Sequence, residues 1–340
     1  MNKQITKIIF YNRWHNGDLF LPKAYMTRLI SVLRRNGYSQ IYFAHVNNPK
    51  SLSDLDVEFF SLNERSIPVD DYCTAVAIED TLYINTWVGA YKGFFSETQR
   101  FTSLISVGII WTSIFYTIQS ILGIQIFNSN DERNDERFIP TNGIPTIDWS
   151  KFDIKPADDF VVGKKNIILF CNGHTRSAQT RNSGIQLMDY SVQILAHNHP
   201  EYTFVCTQKF NISPNFNNIF FTDDIFSIVQ GGDINEIAYL STFCDIIVGK
   251  SSGPHLYCHV QDNINRDCIF FTIGDRQSDE YLYDLYGVKC NHMFFVGNSE
   301  QKMLEALHGI ISKQLPCYKN TLITNDKFIE LTQTSDISNF

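Results

Sequence analysis

No two of the eight cysteines stand at a Cys-x-x-Cys spacing, so the sequence offers neither a zinc ribbon nor a dithiol redox motif. Most of them (Cys171, Cys206, Cys244, Cys268) sit inside apolar runs, where a free thiol behaves as a small hydrophobe. Reduced thiols fit a cytoplasmic setting. Basic residues are in the minority: 28 Lys and Arg against 36 Asp and Glu leave a net charge of −8. They are also scattered, which argues against a nucleic-acid partner. The N-terminal stretch MNKQITKIIFYNRW is too briefly apolar to read as a signal peptide.

Charge is missing altogether from residues 101–127, a length that could span a bilayer. Thr102, Ser103, Ser106, Thr112, Ser113, Thr117, Gln119 and Ser120 interrupt the run, while Leu104, Trp111, Phe115, Ile118 and Leu122 recur at helical spacing. This pattern predicts a buried helix ending at Gly123, then a short strand over 124–127. A membrane span and peripheral membrane association are the alternatives.

What is present is length and alternation. A chain of 340 residues, 44% hydrophobic, is long for one core and suits two domains. Strand-like runs at 7–11, 40–44, 74–78 and 81–85 accompany a helical pattern over 21–36 that stops at Gly37. The polar stretch NSNDERNDERFIPTNGIPTIDW then reads as surface loop and linker. From Asn166 the alternation restarts. Strands are predicted at 167–171, 202–207, 218–221, 245–248, 268–273 and 293–296, and helices at 184–198, 233–242, 254–260 and 299–314. Such alternation predicts an α/β protein of two Rossmann-like domains facing a cleft, 1–150 and 151–317. Ligands in sheets of this kind bind beyond the carboxyl ends of strands, so the loops after strands are where chemistry belongs.

Three of these loops stand out. After the strand ending in Ile246-Ile247-Val248 comes Gly249-Lys250-Ser251-Ser252-Gly253-Pro254-His255. It is not a P-loop, because the position that needs the first glycine is Cys244. Ser252 suits an N-cap and Pro254 a first helical turn, so the stretch is either an ordinary strand-to-helix turn or a cradle of N–H groups for an anion. Gly253 permits close backbone approach. The second loop, after Cys171, crowds Asn172, His174, Thr175, Arg176, Ser177, Gln179 and Arg181 together. It is either polar surface or a phosphate-binding set. In the third, after the first strand, Asp18 either caps a helix or faces the cleft as a general base, with His15 as a second candidate.

The segment DINEIAYLSTFCDIIVGKSSGPH, together with Gly17-Asp18 and HTRSAQTR, resembles the bacterial family 9 glycosyltransferases, the heptosyltransferase-like group of GT-B fold. The resemblance covers the layout of most of the chain, but only these three stretches in residues. It implies a nucleotide-sugar donor bound in the second half by Asn172, His174, Thr175, Arg176, Arg181, Lys250, Ser251, Ser252, Gly253 and His255. It implies a glycan or other hydroxyl acceptor in the first half, Asp18 as base, no cofactor and no required metal. It also implies that residues 318–340 pack back on the first domain as a closing helix. Two positions depart from the family signature: Ser251 replaces its aspartate, and its histidine is either one place early, at His255, or missing. A non-catalytic nucleotide-sugar- or glycan-binding relative and a sugar-nucleotide epimerase are therefore the alternatives.

Weaker signals remain. Trp87 and Tyr91, after the strand LYIN, are read either as core or as the acceptor side. Asp54-Leu55-Asp56 spells a metal-binding pattern without a strand before it. His255, Cys258 and His259 could share one helix face, as packing or as three zinc ligands.

Overall fold

The computed structural model describes residues 4–14, 16–46, 50–87, 104–126, 144–173, 185, 188–213, 215–226, 234–250, 253–266, 268–274, 291–314, 321–324 and 328–330. The chain forms two compact units, Met1–Thr146 and Ile147–Phe340.

The first unit holds β1 (Lys7–Asn12), β2 (Gln40–His45), β3 (Glu58–Ser61), β4 (Ala75–Ile78) and β5 (Thr81–Asn85), in the sheet order β3-β2-β1-β5-β4. All pairings are parallel except the β4–β5 hairpin, which turns through Glu79 at φ 55°. β1 and β5 are buried almost throughout, as strands of a covered sheet are.

The helix predicted over 21–36 is α2 (Lys23–Arg35), preceded by a separate short helix, α1 (Asn16–Phe20). Pro22 divides them, because it has no N–H to continue the i→i−4 ladder. α2 buries Met26, Leu29, Ile30 and Leu33 on one stripe. It closes at Gly37 with φ 88°, where the Tyr38 N–H donates to the Leu33 carbonyl. α3 (Leu104–Leu122) buries Trp111, Phe115 and Ile118 and ends at Gly123, φ 66°. The strand expected at 124–127 is not formed by 124–126: the Ile126 N–H donates to the Gln119 side chain instead of to a neighbouring strand. Among the described residues, no helix is long and apolar enough to cross a membrane.

The second unit holds β6 (Ile167–Cys171), β7 (Thr203–Cys206), β8 (Ile219–Phe221), β9 (Ile246–Lys250), β10 (Ile269–Gly274), β11 (Asn291–Val296), β12 (Thr321–Thr324) and β13 (Phe328–Glu330). The sheet order is β13-β12-β11-β10-β9-β6-β7-β8, parallel except for β13. The helices are α4 (Lys155–Val161), α5 (Asp189–Asn198), α6 (Thr222–Ile225), α7 (Ile234–Ser241), α8 (Gly253–Tyr257), α9 (Gln261–Ile264) and α10 (Glu300–Ile311). The side chain of Ser299 caps α10 through the Lys302 N–H.

Four expectations are corrected here. The helix predicted from residue 184 begins at Asp189; Ile185 and Met188 join the core from outside it and so extended the apolar pattern. β9 does not stop at Val248 but carries Gly249 and Lys250 in the ladder, opposite Thr272 and Ile273 of β10. The helix predicted over 254–260 ends at Tyr257, because the Cys258 and His259 N–H groups bond three residues back and tighten the turn, while Asn263 Nδ2 takes the Cys258 carbonyl. The closing helix expected over 318–340 is replaced at 321–324 and 328–330 by β12 and β13 on the edge of the second sheet. The β-branched Thr321, Ile323 and Thr324 suit a strand.

Candidate functional site

Strand order reverses once in the second unit. From β6 the chain moves outward to β7 and β8, then crosses to β9 on the other side. At such a switch point the flanking connections part and leave a crevice beyond the carboxyl ends. Cys171 lies opposite Gly249 in the register, so β6 and β9 end side by side.

Gly249 is the hinge of this geometry. A Cβ there would lie 2.8 Å from His255 Cβ, 2.8 Å from His255 Cδ2 and 2.9 Å from Cys171 Cβ. Only glycine lets α8 press this closely on the end of β9. His255 is fully buried by this packing, and burial pushes its pKa down to about 3. Its ring therefore packs inside, beside Gly249, His259 and Phe270, rather than facing solvent. Lys250, the next residue, is 6% exposed, and desolvation lowers its pKa. The space at the Gly253 Cα is open.

Asn172 is buried, and its amide is committed within the protein. Nδ2 donates to Asp189 Oδ1 at 3.2 Å and to the Gln208 carbonyl at 3.0 Å, while Oδ1 accepts from the Gln208 N–H at 2.9 Å. It ties the end of β6 to the end of β7. His174, Thr175, Arg176, Arg181, Ser251 and Ser252 lie outside the described residues, as do His15 and Tyr91 of the first unit.

In the first unit the reversal falls at β1, between β2 and β5. Asp18 is half-buried in α1. Its carbonyl accepts from Asn12 Nδ2 at 3.3 Å, and the same Nδ2 donates to Thr86 Oγ1 at 3.3 Å. Trp87 leaves the end of β5 and stacks on Trp14, ring centroids 4.6 Å apart.

No family model matches the chain, and no curated protein matches it in sequence. Among solved structures it is similar to the family 9 glycosyl transferase of Veillonella parvula, at 13% identity and a TM-score of 0.44, over 93% of this chain and 91% of that one. It is also similar to the ADP-heptose LPS heptosyltransferase II of E. coli, at 12% and 0.41, over 91% and 99%. The UDP-GlcNAc 2-epimerase of Neisseria meningitidis aligns at 12% and 0.36, over 90% and 91%. These are loose likenesses, and no residue role is carried across from them.

The two weaker metal readings resolve into packing. Asp54 forms an ion pair with Lys23 at 2.8 Å, both side chains almost wholly buried, and Asp56 pairs with Arg34. His255, Cys258 and His259 are all buried, with Cys258 Sγ donating to the Pro254 carbonyl and His259 stacked on Phe270 at 4.1 Å. Among the described residues, no group of three or more His, Cys, Asp or Glu could hold a metal ion. Trp14 and Tyr72, whose rings neighbour Trp87, were passed over by sequence reasoning; Trp14 shares with Trp87 a repeated Asn-x-Trp, at 12–14 and 85–87, and Tyr72 has no such signal.

Proposed function

We propose that the chain is a glycosyltransferase that moves a sugar from a nucleotide-sugar donor to an acceptor hydroxyl without a required metal. The observation that carries this reading is the switch point of the second unit, where β6 and β9 end side by side, Cys171 opposite Gly249, with the buried Lys250 as the last residue of β9. Basic side chains beyond the carboxyl ends of such strands suit an anionic donor group. The diphosphate is assigned to Lys250, to Arg176 and Arg181, and to the N–H groups at Ser252 and Gly253. His174, Thr175 and Ser251 are assigned to the remainder of the donor.

In the reaction, Asp18 takes the proton of the acceptor hydroxyl as its oxygen attacks the anomeric carbon. The bond from that carbon to the diphosphate breaks, and the leaving group carries its electron pair to the cations that hold it. Ion pairing of Asp54 and Asp56 with Lys23 and Arg34 supports a site that does not use the Asp-x-Asp stretch for metal.

A thermal-unfolding screen of nucleotide sugars tests the donor. A ligand at a hundred times its dissociation constant adds about 2.7 kcal/mol of stability, and a panel that shifts nothing removes the donor reading. Asp18→Asn then tests the base. Asparagine caps a helix about as well as aspartate but takes no proton at neutral pH. Donor binding should survive while transfer, or donor hydrolysis in its place, falls by about 10²–10⁴-fold. A wild-type rate would leave Asp18 as structure and turn attention to His15. Donor binding without any turnover in the wild type would instead mark a nucleotide-sugar-binding protein.

A further inference from the structure

Asn12-Arg13-Trp14 and Asn85-Thr86-Trp87 place the same pattern at the carboxyl ends of the paired parallel strands β1 and β5. Each asparagine is 1% exposed. Each accepts, through Oδ1, the N–H of its own tryptophan: 2.7 Å to Trp14 and 2.9 Å to Trp87. Two Asx turns on adjacent strands thus aim two indoles at each other, stacked at 4.6 Å and 26°.

Tyr72 adds a third ring, 6.5 Å from Trp87. Its turn is closed by Asp70 Oδ1, which accepts from the Tyr72 and Cys73 N–H groups. The turn is tied to β1 by the Tyr11 hydroxyl and to β5 by Asn85 Nδ2, which donates to the Asp71 carbonyl. Yet Trp14 is 39% exposed and Tyr72 75%. Rings held this firmly and left this open are prepared for a ligand rather than for the core.

We propose that Trp14, Trp87 and Tyr72 form a stacking shelf for the pyranose ring of a saccharide. The C–H face of a pyranose covers an aromatic ring through burial and dispersion, and its hydroxyl edge needs polar groups beside that ring. The Arg13–Asp71 ion pair, 27% and 29% exposed, and the Tyr72 phenol supply them. Asp71 neutralises the Arg13 guanidinium, so the rim suits hydroxyls better than phosphate. Three rings are also too small a surface for a protein partner, which covers about 800 Å² on each side. Asn12 sets both the Trp14 turn and the carbonyl of Asp18. Calling the bound ring the acceptor's rests on the transferase reading; the shelf itself does not.

The full chain is titrated with the methyl pyranosides of glucose, galactose, mannose and N-acetylglucosamine and with their linear tetrasaccharides, while tryptophan emission is followed. At least one of these should give a saturable change. Trp14→Ala and Tyr72→Ala should each weaken it about tenfold, the order of loss when a stacking ring is truncated, and Trp14→Phe should keep most of it. Unfolding temperatures should stay at the wild-type value; if Trp14→Ala fails to fold, the exposed Tyr72 decides alone. A wild type that responds to no saccharide of the panel, or binding that survives both alanine variants, overturns the shelf. Nucleotide-sugar binding is measured in parallel. Pyranoside binding without it keeps the shelf and removes the transferase, and nucleotide-sugar binding alone does the reverse.

Discussion

Gly249→Ala adds one methyl group, and its effect can be worked out from three distances. The new Cβ would stand 2.8–2.9 Å from His255 Cβ, His255 Cδ2 and Cys171 Cβ, against about 3.5–4.0 Å for carbon atoms at rest. Two of those neighbours are Cβ atoms fixed to backbone, one on α8 and one on β6, so no rotamer change removes them. Relief requires α8 to lift or β6 and β9 to part. Overpacking of this kind costs about 1–3 kcal/mol. Without the clash the sign would be opposite, since alanine in a strand is better than glycine by roughly 0.5–1 kcal/mol. For a unit of this size each kcal/mol moves the unfolding temperature by about 2–4 °C. Scanning calorimetry should therefore show a fall of roughly 2–12 °C. Adding His255→Ala removes the Cδ2 contact but keeps both Cβ contacts, so the cost of Gly249→Ala should shrink in that background without vanishing. A Gly249→Ala chain that melts at or above the wild-type temperature would refute the packing described here.

Other perturbations follow from buried charge. Lys23→Met leaves the Asp54 carboxylate buried without its ammonium partner and should cost about 3–5 kcal/mol in urea unfolding, most of it regained by Lys23→Met with Asp54→Leu; a single variant as stable as wild type would contradict the pair. His255 and His259 are buried, and both pKa values are held below the usual histidine range by that burial. The unfolded chain takes up their protons near pH 6.5 while the folded chain does not, so this stability is complete above about pH 6.5 and is lost as pH falls towards 3. Each group contributes up to about 1.4 kcal/mol per pH unit. Urea midpoints at pH 7.5 and 5.0 should differ, and His259→Phe should reduce the difference.

Much of the second unit was legible because parallel strands covered on both faces read as apolar runs, as in Ile167–Cys171. What failed did so for local reasons. Gly249 and Lys250 have the composition of a turn, yet they extend β9, because the missing Cβ admits α8 and the ladder continues. His255 carries the chemistry of a ligand contact but is enclosed by the same packing. The strands at 321–324 and 328–330 were hidden behind a family layout that ends differently. Trp14 and Trp87 share the local pattern Asn-x-Trp, but nothing in that pattern says that the two rings meet. Only the pairing of β1 with β5 brings the two Asn-x-Trp segments together, and strand pairing between distant segments leaves no periodic trace.

The same device recurs at both strand-order reversals. Where neighbouring loops part, the outgoing backbone groups lose the ladder partners they would have inside the sheet, and such groups must be satisfied if they are buried. Asn12 follows this logic in the first unit: its acceptor takes the Trp14 N–H, and its donor takes the Asp18 carbonyl and Thr86 Oγ1. Asn172 follows it in the second: its acceptor takes the Gln208 N–H, and its donor takes the Gln208 carbonyl and Asp189. Asparagine suits the task because one short planar group offers both a donor and an acceptor, where aspartate would offer acceptors alone and leucine neither. Each amide ties the end of its strand to neighbouring backbone at a switch point. Asn172, read from sequence as a donor contact, makes these bonds within the protein. In the first unit one buried side chain, Asn12, holds both the Trp14 N–H and the Asp18 main-chain carbonyl.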